Sequence, residues 1–134
     1  MQILQPPSWA RAKGFSNGIA ASGRLVFIAG QIGWTGQAKW EARDFASQFK
    51  QAVKNILDVL AEAGGKPEHI VRLTWYVTDK QAYVSRLADV GAAYRRVIGK
   101  HFPAMTLVQV VALVEDRAKV EIEATAVVPH QPAA

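Results

Sequence analysis

The chain has 134 residues, half of them hydrophobic, with no cysteine and a formal charge of +5. That length fits one domain, residues 1–134, with a core large enough to need no metal or disulfide. The lack of cysteine excludes disulfides, thiolate nucleophiles and Cys-ligated metals together and fits a reducing, cytoplasmic setting.

The start, Met1-Gln2-Ile3-Leu4-Gln5-Pro6, lacks the basic and apolar regions of a signal peptide. Residues 1–13 carry Pro6-Pro7 and read as an irregular lead-in. The apolar runs Ile19-Ala20-Ala21 and Leu25-Val26-Phe27-Ile28-Ala29 flank Ser22-Gly23-Arg24, which reads as a β-hairpin. Residues 30–43, with Trp34 and Trp40, read as a loop.

Residues 45–63 form the clearest helix. Phe45, Phe49, Ala52, Val53, Ile56, Leu57 and Leu60 share one face at three- and four-residue steps. Gln48, Lys50, Gln51, Lys54 and Asp58 share the other, Asp44 can cap the start, and Gly64-Gly65 ends the run. Residues 70–77 alternate as a strand, with Val71, Leu73, Trp75 and Val77 on one side. A second helix is expected over 81–98, with Leu87, Val90, Tyr94 and Val97 inward, stopped by Gly99. Residues 104–113 and 119–128 read as strands around a turn at Val114-Glu115-Asp116-Arg117, and residues 129–134 as a tail.

The predicted order, β-β-α-β-α-β-β, makes an α+β fold. It has a single mixed β-sheet with two helices on one face. The other face is partly apolar with no element left to cover it, which implies self-association. No stretch approaches the ~20 apolar residues that span a bilayer. The bases are scattered, the longest run being Arg95-Arg96, so the charge reads as a solvated surface rather than a nucleic-acid patch.

Most catalytic templates fail. There is no Gly-rich phosphate loop and no zinc-binding helix, and His69, His101 and His130 lack ligand spacing. Glu121 and Glu123 are two apart on a strand, so both carboxylates face one way. They are either an exposed sheet face paired with bases such as Lys119, or a cleft carboxylate acting as general base on water. Gly30-Gln31-Ile32-Gly33 directly follows a strand. It is either a tight turn or a place where backbone N–H closely approaches a ligand.

Together these segments resemble the Rid (YjgF) family of reactive-intermediate deaminases. The resemblance runs from about Gly14 to Ala126 through several ordered motifs: Val26-Phe27-Ile28-Ala29-Gly30-Gln31, Gln51-Ala52-Val53-Lys54-Asn55-Ile56-Leu57, Thr74-Trp75-Tyr76-Val77-Thr78-Asp79, Phe102-Pro103-Ala104 and Val120-Glu121-Ile122-Glu123-Ala124. It implies a chorismate mutase-like fold and a homotrimer with clefts between subunits. It also implies cofactor-free hydrolysis of amino-acid-derived enamines and imines to a keto acid and ammonia. Glu121 is the implied catalytic residue. Phe15, Ala29, Gly30, Gln31, Gly91, Met105 and Thr106 are the implied substrate-binding set, with no metal.

The family pattern is broken at four places. Met105 stands where active members carry an Arg that grips the substrate carboxylate, Phe15 where they carry Tyr, Ala29 for Ser and Gly91 for a frequent Asn. Loss of a bidentate charged partner costs a bound carboxylate about 2–5 kcal/mol. The expected cleft is more apolar, lined by Phe15, Met105 and Trp34 or Trp75, and suits a substrate bulkier or less carboxylate-dependent than 2-iminopropionate. The alternative is a trimer that binds small molecules without catalysis. An RNA-acting, endoribonuclease-like role comes third, because no basic stripe accompanies the charge.

Overall fold

The computed structural model describes residues 1–130. Most of the expected tail, 131–134, lies outside the described residues. The strands are β1 (Gln2–Leu4), β2 (Gly18–Ala20), β3 (Arg24–Ile32), β4 (Ile70–Val77), β5 (Ala104–Gln109) and β6 (Val120–Val128). The helices are α1 (Phe45–Glu62), α2 (Lys80–Val84) and α3 (Leu87–Val97). The main sheet runs β3-β6-β4-β5, with β4 and β5 parallel and the other pairs antiparallel. It is the expected mixed sheet with its helices on one face.

Helix α1 forms as its periodicity dictates. Phe49, Ala52, Val53, Ile56 and Leu60 are fully buried against Ile70, Leu73, Val120 and Ile122 of the sheet. Asp44 caps the start, its carboxylate accepting the Ser47 N–H at 3.0 Å. At the end, Gly64 takes φ +73°; its N–H donates to Ala61 O and that of Gly65 to Leu60 O, the paired bonds of a Schellman stop. One residue departs from the expected solvent face. Gln48 is 2% exposed and clamps the β5–β6 connection: its Nε2 donates to Arg117 O at 3.0 Å and its Oε1 accepts the Lys119 N–H at 2.8 Å. Asn55, also buried, donates to Trp34 O at 2.8 Å and ties down the loop after β3.

Four expectations change. The Ile19 run does not form a hairpin with the Leu25 run; β2 pairs with β1, drawn from the supposedly irregular lead-in, at Ile3 opposite Ile19. Gly23 explains the difference. Its backbone is pressed against the Val128 carbonyl, where a Cβ would sit 2.3 Å from the oxygen. The chain therefore crosses the end of β6 instead of doubling back along β3. The second helix breaks at Ser85–Arg86 into α2 and α3, and Arg86 leaves helical geometry at φ −122°, ψ 26°. Val90, Tyr94 and Ile98 face inward, whereas Leu87 is exposed. In β4, a bulge between Ile70 and Arg72 shifts the alternation, so Ile70 replaces Val71 in the buried row. Strand β5 stops at Gln109, short of the expected 113, and Val111 and Val114 are exposed.

The face of the sheet away from the helices carries Leu25, Phe27, Tyr76, Val108 and Glu123, with Phe27 75% exposed. Among the described residues no helix is long and apolar enough to cross a membrane.

Candidate functional site

The residues singled out by sequence fall into two groups on opposite faces of the sheet. The first lies on the helix side. Met105 is in register with Leu73 of β4, so it shares that residue's inward direction and packs on the core. Phe15 reaches it because the chain before β2 is tied to the start of β5. The Ser16 N–H donates to Pro103 O at 3.0 Å, its hydroxyl donates to Phe102 O, and Ser16 forms a parallel bridge with Ala104. Gly91 arrives from α3. These three line one pocket of about 510 Å³ between α3, α2 and the β4–β5 edge, with Trp75, Tyr94 and Phe102 as further walls. The Tyr94 and Phe102 rings stack 5.4 Å apart, 3° from parallel. The Tyr94 hydroxyl donates to His101 O, and burial pushes its phenol well above the ordinary tyrosine range.

The second group lies on the open face. A bulge in β3 between Ile28 and Gln31 leaves Ala29 and Gly30 out of register with β6. The Glu121 carboxylate sits over this gap: a Cβ on Gly30 would meet its Oε2 at 2.1 Å. Gln31 is half-buried, its amide donating to Ala29 O at 3.1 Å. Glu121 is in register with Tyr76, and Glu123 faces the same way, accepting the Tyr76 hydroxyl at 2.8 Å. That bond, then desolvation and the two carboxylates, raises the Tyr76 phenol above its ordinary value of 10.0. Thr106 is exposed beside Thr74, itself opposite Glu123.

Within one chain, then, Phe15, Gly91 and Met105 meet, and Glu121 and Gly30 meet, with Ala29 in the same bulge and the sheet between the two groups. Of the two tryptophans considered for the cleft, Trp75 is a wall of the pocket. Trp34 is not; it lies in the loop after β3, its ring 6.0 Å from that of Trp40. Sequence reasoning missed Tyr83, Tyr94, Phe102 and Arg95 as pocket residues. The signal for Arg95 was its position four residues after Gly91 on a helix. Among the described residues no three His, Asp or Glu side chains are grouped to hold a metal ion.

The profile of the family described as Endoribonuclease L-PSP matches residues 7–128. The chain belongs to the Rid (YjgF) family. It is 34% identical over 108 residues to the 2-iminobutanoate/2-iminopropanoate deaminase of Salmonella typhimurium, covering 78% of this chain and 80% of that one. It is 35% identical over 126 residues to a RutC family protein of Aquifex aeolicus, covering 94% and 98%. The crystal structure of the Rid-family protein YyfB of Yersinia pestis, of unknown function, superposes with a TM-score of 0.83 at 30% identity over 95% of this chain and 98% of that one. The Rid assignment thus rests on sequence and fold together, and deaminases are among this chain's similar relatives.

Proposed function

We propose that the protein is a Rid-type hydrolase of an imine or enamine, working in a cleft that two subunits complete. The observation that carries this reading is the Glu121 carboxylate, seated over the Gly30 bulge on a sheet face that exposes Leu25 and Phe27. In the cleft, Glu121 takes a proton from water as its oxygen bonds to the imine carbon. The same carboxyl returns that proton to nitrogen, giving a carbinolamine, then takes the proton of the new hydroxyl and passes it to nitrogen as the C=O bond forms and the C–N bond breaks, giving a carbonyl compound and ammonia. The second subunit supplies the pocket of Phe15, Gly91 and Met105, because no single protomer brings that pocket to Glu121. The apolar lining favours a substrate bulkier than 2-iminopropionate.

The test is ammonia release from freshly generated 2-imino acids, aliphatic and aromatic, by wild type and Glu121→Gln. A drop of about 10²–10⁴-fold in kcat with unchanged circular dichroism is expected. Full turnover in Glu121→Gln would sink the mechanism. Met105, in the place of the family's Arg, favours a second reading, a trimer that binds small molecules without consuming them. Saturable binding with no ammonia from any imine of the panel would support it.

A further inference from the structure

The pocket that holds Met105 is lined by two cations, Lys13 and Arg95, of which only Arg95 carries a planar fork of donors. Arg95 lies four residues after Gly91 on α3, and both line the pocket together with Trp75 and Met105. The guanidinium Nη1 comes within 3.5 Å of the point a Cβ on Gly91 would occupy. Arg95 thus lies back along the helix over Gly91, toward the pocket that both residues line. Among the described residues Arg95 has no carboxylate within ion-pair distance, the one such pair being Arg86–Asp89. A free guanidinium offers a fork of N–H donors that matches a carboxylate.

The rest of the pocket points to what the carboxylate is attached to. Phe15, Trp75, Tyr83, Tyr94 and Phe102 present rings, and about 510 Å³ suits a phenyl- or indole-sized acid. Trp75, 5% exposed, carries the only buried side-chain polar atom without a hydrogen-bond partner among the described residues, its indole Nε1. A buried donor of this kind is satisfied when a ligand acceptor reaches it.

We infer that Arg95 is the carboxylate-binding residue of this pocket and that the pocket selects flat aromatic carboxylates. The guanidinium that the resemblance places at strand position 105 is supplied here from the helix. The inference rests on reading this pocket as the substrate half of the composite site.

Binding, independent of turnover, tests it. Phenylacetate and the uncharged phenylacetamide are titrated by calorimetry into wild type and Arg95→Ala. Wild type is expected to prefer the acid by at least about tenfold. Arg95→Ala should lose about tenfold to a hundredfold in phenylacetate affinity and bind acid and amide alike. Arg95 is solvent-exposed, so an unchanged melting curve should confirm that the variant folds. Failure of wild type to bind phenylacetate saturably, or an acid preference that survives Arg95→Ala, would overturn the inference. Arg95-dependent binding combined with full ammonia release by Glu121→Gln would instead uphold it while removing the hydrolytic mechanism.

Discussion

A Cβ at Gly30 would stand 2.1 Å from Glu121 Oε2, and one at Gly33 would stand 2.6 Å from Gln48 Cβ and 2.7 Å from its Cα. The two clashes differ in what can yield. At Gly30 the obstacle is the far end of an acidic side chain on the open face, which can swing aside at little cost to the fold. At Gly33 the obstacle is the backbone of α1, held by Gln48 bonds to Arg117 and Lys119. Gly33→Ala is therefore expected to destabilise by about 1–3 kcal/mol in urea titration. Gly30→Ala should leave the urea midpoint near wild type and lower ammonia release about a hundredfold, because the carboxylate is moved from its seat. A Gly30→Ala protein as active as wild type would show that the position of Glu121 over the bulge is unimportant. Neither close approach is visible in sequence. The glycines are, but their reason lies in β6 and α1, elements about 90 and 15 residues away in the chain.

At the scale of elements, α1 was legible almost entirely, because eighteen residues give the 3.6-residue period time to declare itself. Its cap can be tested. The Asp44 carboxyl lies below its ordinary value of 3.8, first through the hydrogen bond from Ser47. A lowered carboxylate contributes stability that is present above its unfolded pKa and lost as pH falls through the folded one. Asp44→Ala should therefore cost about 1 kcal/mol at neutral pH, and the gap to wild type should close as the urea titrations move below pH 3.8. A gap that persists at low pH would mean that the loss is not the cap. Short or irregular elements were less legible. Strand β1 has three residues beside Pro6-Pro7, too few for alternation to register, and exists only because Gly18–Ala20 lies alongside it. The bulges at Ile28/Gln31 and Ile70/Arg72 break the two-residue period, which is how Val71 was assigned to the buried row in place of Ile70. The break at Arg86 leaves no mark in the hydrophobic pattern, since α2 and α3 each continue it in part.

At the scale of the whole molecule, the site shows where sequence reading stops. Parity along β6 placed Glu121 and Glu123 together, but parity says nothing about how β5 and β6 are registered through β4. That register puts Met105 with Leu73 under the helices and Glu121 with Tyr76 on the open face. A catalytic site using both therefore needs a second copy of the chain, and the open face has the character to recruit one: Leu25 is 63% exposed and Phe27 75% exposed. Phe27 is in register with Thr125 in the β3–β6 pair, three residues before Gly30, and is not one of the walls of the pocket at Met105. Phe27→Glu places a charge where an apolar contact between copies would be buried, at a cost that burial of an unpaired carboxylate makes prohibitive. Wild type is expected to sediment at three times the 14.6 kDa of one chain and Phe27→Glu at that mass itself. Ammonia release should fall in step with dissociation across a concentration series, while phenylacetate binding, confined to one protomer, should survive it. A monomeric Phe27→Glu protein with full activity would show that one chain contains the whole site, and that Glu121 and the pocket at Met105 are not partners in the reaction.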